Sequence, residues 1–116
     1  MIKNAQFQNK ELTIETDKSV SLVHMGAQIA EVIKLDDRVI VLTKPSADIG
    51  DKNIFCFDQS GEKIWAIQEP DRVYEHNPFM EISLRGDGYL LAGCWNSTTY
   101  IVDIYNGKFV SKYYDK

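Results

Sequence analysis

The segment QEPDRVYEHNPF, residues 68–79, with prolines at 70 and 78, gathers Glu69, Asp71, Arg72, Tyr74, Glu75 and His76. A histidine beside carboxylates, a tyrosine and an arginine is the toolkit of a recognition surface or of a weak metal site. A plainer reading is a solvated connection whose prolines limit its freedom, and both readings stand at this level. Metal binding needs ligands converging from several segments. One loop with a single histidine supplies no such set, so neither a metal nor a cofactor is expected. Trp95, in GCWNSTTY (residues 93–100), is the other candidate. At a strand end it either lines a groove or joins the core.

Catalysis finds less support. The chain has no GxSxG elbow, no phosphate-cradling glycine loop and no HExxH, and its only histidines are His24 and His76. Cys56 and Cys94 lie 38 residues apart in apolar surroundings without a CxxC pair. That is the pattern of small buried hydrophobes in a reducing compartment. No catalytic residue is assigned, and the chain reads as non-enzymatic.

The acidic balance narrows the partners. A net charge of −4 divides into −1 over the first 50 residues and −3 over the rest, with no cluster of Lys and Arg. Nucleic acid and anionic membranes both need such a cluster, because counterion release supplies their affinity. A basic protein partner fits better, and the chain is expected as a monomer or weak homo-oligomer. MIKNAQFQNKELTIE lacks the apolar core of a signal peptide, and no run approaches the ~20 apolar residues of a membrane span. The expected compartment is the cytoplasm.

The elements that must position these residues are strands. At 116 residues with 44% hydrophobic and 26% charged side chains, the chain suits one globular domain spanning 1–116. Period-two or fully apolar runs recur between tight-turn residues, as in AEVIKLDDRVIVLT, NIFCF–DQSGE–KIWAI, FMEISL–RGDG–YLLAGCW and TYIVDI–YNG–KFVSKYY. In GAQIAEVIKL, Ile29, Val32 and Ile33 also satisfy helical spacing. A window that short with no N-cap favours a strand.

Laid against itself, the chain repeats. Residues 31–68 and 80–116 each read as hairpin, loop, hairpin, with Ile33 matching Ile82, Val39 matching Tyr89, Asp58 matching Asp103 and Gly61 matching Gly107. VIVL, IFCF and YLLA are apolar at consecutive positions, so both faces of those strands call for burial. The expected fold is all-β, with about ten antiparallel strands. Two four-stranded, propeller-blade-like sheets follow an N-terminal hairpin (5–24). Trp65, Phe55, Val41, Leu91 and Ile101 are expected in the core.

CFDQSGEKIW resembles the blade motif of quinoprotein-like β-propellers, Ala-x-Asp-x-x-Thr-Gly-x-x-x-Trp. Cys56 stands at the Ala position, Asp58 at Asp, Ser60 at Thr, Gly61 at Gly and Trp65 at Trp. The later VDIYNGKFVSK keeps Asp103 and Gly107 with one extra residue between them and no Trp. The chain is similar, too, to small stand-alone bacterial proteins with such a hairpin. The resemblance implies architecture and no activity. Propellers close with about four to eight blades, so no ring forms here, and the quinone and calcium sites of that family are not carried over. In this reading Asp58 is a turn carboxylate and Trp65 lies over its own hairpin, sealing the junction with the next sheet.

Two functions remain from different classes. One is a non-enzymatic protein-interaction module of inhibitor or immunity type, using the acidic loop. The other is a small-molecule binder or minor hydrolase, with a pocket between the sheets near Trp95, Tyr74 and His76.

Overall fold

Val39, Ile40, Val41 and Leu42 are all buried, and a strand can bury successive residues only if something covers each of its faces. The computed structural model, which describes residues 1–71 and 75–114, supplies that cover by stacking three antiparallel sheets. The first holds β1 (Ile2–Gln8), β2 (Glu11–Thr16) and β3 (Val20–His24). In the middle lie β4 (Ile29–Lys34), β5 (Arg38–Thr43), β6 (Ile54–Asp58) and β7 (Lys63–Ala66). The last holds β8 (Phe79–Leu84), β9 (Leu90–Cys94), β10 (Thr98–Val102) and β11 (Phe109–Tyr114). Strands within each sheet pair in chain order, and neither a barrel nor a propeller closes. Among the described residues no helix is long and apolar enough to cross a membrane.

The middle sheet separates two cores. Val39, Val41 and Phe57 meet Ile2, Leu12 and Ile14 of the first sheet. Ile40, Leu42, Ile54, Cys56 and Trp65 meet Phe79, Ile82, Leu90, Ala92, Tyr100 and Val102 of the last. Residues 29–34 form a strand, since neighbours on both sides reward extended pairing more than a single short helical turn would.

Asp58 acts as the turn carboxylate. Its Oδ1 accepts from the Ser60 N–H at 2.9 Å, the Ser60 hydroxyl at 2.8 Å and the Glu62 N–H at 3.0 Å. Gly61, at φ 85°, takes the left-handed position that this turn requires. Asp103 repeats the device, accepting from the Tyr105 N–H at 2.8 Å.

Several expectations need correction. The N-terminal hairpin is a three-stranded sheet beginning at Ile2, because Val20–His24 pairs with β2, whereas the all-β fold and the count of about ten strands hold, with eleven among the described residues. The repeat is offset by one residue. Lys34 pairs with Val39 while Leu84 pairs with Leu90, so Val39 matches Leu90 rather than Tyr89, and Val32 matches Ile82. The turn Gly86-Asp87-Gly88 is simply one residue longer than Asp36-Asp37. Trp65 seals the junction with the last sheet as expected: its ring covers Gly107 in the turn between β10 and β11, and its indole N–H donates to the Ile104 carbonyl at 2.8 Å. Val41 and Trp65 are buried, but Phe55, Leu91 and Ile101 are only partly so.

The partial burial of Leu91 and Ile101 has a structural reason. The row Ile33–Ile40–Cys56–Trp65 runs across the middle sheet and faces the last. Its counterpart in the last sheet is Ser83–Leu91–Ile101–Ser111. No fourth sheet covers that row, and its two serines are exposed. In the next row Glu81 folds its side chain over Gly93. The stack therefore ends on a face where the polar side chains of Ser83, Ser111 and Glu81 interrupt the partly exposed Leu91 and Ile101.

Candidate functional site

Meander sheets stacked in register put alternate connections on opposite edges. One edge carries only short turns, at 17–19, 35–37, 59–62, 85–89 and 103–108. The other carries 9–10, 25–28 and 95–97 together with the two long loops, 44–53 and 67–78. Long loops on a rigid scaffold are where binding residues concentrate. The first and middle sheets are aligned at this edge through the Ile29 N–H, which donates to the Asn9 carbonyl at 2.8 Å.

Between the long loops runs an open groove of about 640 Å³ lined by Pro45, Glu75, His76, Pro78, Met80 and Trp95. A second hollow of about 350 Å³ continues it past Ser46, Asp51 and His76. Trp95 is 60% exposed and Met80 48%. The Trp95 N–H donates to the Pro78 carbonyl at 3.0 Å, tying the turn at the end of β9 to the loop before β8. His76 sits at the centre, its Nδ1 3.9 Å from Asp51 Oδ1 and its Nε2 3.8 Å from Glu75 Oε1.

Three buried polar side chains hold the loop in place. Asn53 donates to the carbonyls of Thr43 at 2.8 Å and Phe79 at 2.9 Å, and its Oδ1 accepts from the Phe79 N–H at 2.9 Å. Asp51 accepts from the Asn77 N–H at 3.0 Å. Asn77 in turn donates to the Asp71 carbonyl at 2.9 Å and accepts from the Asn96 N–H at 3.1 Å. The bonds that join separate elements here span 26 positions of sequence for Asn53–Phe79 and Asp51–Asn77, and 19 for Asn77–Asn96. The only local signal is an Asn standing just ahead of an apolar strand, or beside a proline.

The loop's candidate residues divide. Glu75 and His76 meet Trp95 at the groove. Asp71 turns away to another hollow, where its carboxylate accepts from Lys112 Nζ and its N–H donates to the Tyr100 hydroxyl at 2.9 Å. The Lys112 ammonium holds the Asp71 carboxyl below the usual carboxylate range. Asp71 thereby anchors the loop to the last sheet. Glu69 is exposed. Arg72 and Tyr74 lie outside the described residues.

The chemical options at the groove are limited. Burial pushes the thiols of Cys56 and Cys94 up to about 12, and both are unpaired cysteines within the core. They are not thiolate nucleophiles. Ser46, Asp51 and His76 share one wall, yet the Asp51–His76 separation exceeds hydrogen-bond reach. The Ser46 hydroxyl accepts from the Asp48 N–H at 3.2 Å within its own turn. Among the described residues no group of three or more His, Cys, Asp or Glu side chains is arranged to hold a metal ion.

Fold and groove together define a class, the all-β proteins built of stacked antiparallel meander sheets with a loop-framed cleft along one edge. Within it the chain belongs to the family described as domain of unknown function DUF7957, whose model matches residues 2–114. The fold is similar to that of the computationally designed Ika8 protein, with a TM-score of 0.61 and 10% sequence identity over 99% of this chain. The chain spans 37% of that protein's length, and at this identity the likeness concerns fold alone. Comparison with curated proteins finds no match.

Proposed function

We propose that this chain is a non-enzymatic protein-interaction module that binds its partner in the groove between the two long loops. One observation carries the reading: Trp95 and Met80, both substantially exposed, stand with Pro45 and Pro78 in an apolar-walled cleft. Exposed Trp and Met in a concave surface are the composition of interface hot spots. A role as an inhibitor or immunity-type protein in a bacterial cytoplasm suits the acidic balance. The blade resemblance adds only architecture to this reading, supported by the matched turns at Asp58 and Asp103.

The test is to pan a random peptide library over the full chain and over Trp95→Ala. Enrichment that depends on Trp95, with equal melting temperatures for the two proteins, supports the module. A library that yields no Trp95-dependent binder overturns it.

A small-molecule site is the second reading, favoured by the hollow that holds Ser46, Asp51 and His76 side by side. A metabolite that raises the melting temperature of the parent but not of His76→Ala would support it.

A further inference from the structure

We infer that the groove's occupant is a basic segment of a partner protein anchored by one apolar side chain, an inference that rests on the module reading above. The anchor is of Leu, Met or Phe type and sits between Trp95, Met80, Pro45 and Pro78, with Lys or Arg on either side of it in the segment. Charge is the argument for the flanks. The two framing loops, residues 44–53 and 67–78, contain Asp48, Asp51, Glu69, Asp71 and Glu75 against Lys44, Lys52 and Arg72. Lys112, from another element, pairs with Asp71 in a separate hollow away from the groove. Carboxylates also bracket the groove's centre, because Asp51 and Glu75 each lie within 4.0 Å of His76. The Glu75 side chain is 90% exposed, so its field reaches an approaching partner.

Size and shape argue for the anchor. The cleft is walled mostly by Pro45, Pro78, Met80 and Trp95, open on one side and large enough for a bulky side chain, with Glu75 and His76 as its polar groups. That division gives affinity to the apolar contact and steering to the charges. A second copy of the chain is the poorer occupant. Groove against groove would bring the same carboxylates together, and like charges across an interface disfavour it.

The experiment uses fluorescently labelled peptides carried forward from the panning, with the full chain, and reads anisotropy at low and physiological salt. The enriched peptides are expected to carry an apolar residue between basic ones. Replacing that residue by Ser should weaken binding about thirtyfold, as losing a hot spot does. Replacing the basic residues by Gln should slow association and flatten its salt dependence, and Glu75→Gln should do the same from the protein's side, with melting temperature unchanged. Trp95-dependent peptides that are acidic or uncharged, or whose affinity ignores both salt and Glu75→Gln, would overturn this inference and leave the module standing. Binding that is indifferent to Trp95→Ala would overturn both.

Discussion

Asp58 Oδ1 takes three hydrogen bonds inside five residues of chain, and that locality is why its role was legible in the sequence. Burial works against its charge, but the Ser60 hydroxyl and the N–H groups of Glu62, Ser60 and Gly61 outweigh it and hold the carboxyl below its ordinary value. A depressed carboxyl stabilises the fold above the unfolded pKa of about 4 and loses that contribution as pH falls through the folded value. Asp58→Asn keeps an acceptor without the charge. Its melting temperature should fall below the parent's at pH 7, and the gap should close toward pH 2. A gap that is constant with pH would show that the charge contributes nothing. Trp65 was legible as a core residue sealing the junction with the next sheet, but its particular target was not, because Gly107 lies 42 residues away in the turn between β10 and β11. Trp65→Ala should cost about 3 to 5 kcal/mol in denaturant unfolding. Gly107→Ala should cost at least about 2 kcal/mol, since its φ is 74° and an added Cβ would stand 2.5 Å from the indole.

At the scale of elements, hairpins and turns could be read from alternation and from glycine placement, since both are settled within a dozen residues. Register was off by one in the repeat because two turns differ by a single residue, and a slip of one residue exchanges the two faces of a strand. The same sensitivity explains why Leu91 and Ile101 were expected inside while Leu90 and Val102 are the residues at 0% exposure. The groove was half legible. Glu75, His76 and Trp95 stood out by residue type, but Pro45 reaches them only through the stacking of sheets, and Met80 reaches Trp95 through the pairing of β8 with β9. Asn53 decides how the loop between β7 and β8 is held, because it pairs backbone groups of Thr43 and Phe79 that are otherwise shut away from water. Asn53→Ala should cost at least about 2 kcal/mol, the penalty of stranding buried polar groups. The amide of Phe79 should also exchange faster with solvent. Unchanged exchange at Phe79 would remove Asn53 from that role.

At the scale of the whole molecule, the order of the three sheets follows from which strands carry apolar residues on both faces. Only the middle sheet does so throughout, which makes it the centre. The outer face of the last sheet, interrupted by polar side chains, is then a stop signal, and it rests on a handful of small side chains. Ser83 and Ser111 occupy the positions where the middle sheet has Ile33 and Trp65. Ser83→Ile combined with Ser111→Trp should turn the stop into an adhesive end, and sedimentation should then report species larger than the parent at equal concentration. Identical sedimentation would mean that Glu81, folded over Gly93, seals that end unaided. Larger species from that double variant would mean that two residues separate the present end from an adhesive one, so that drift at those serines toward large apolar side chains would carry a risk of fibres.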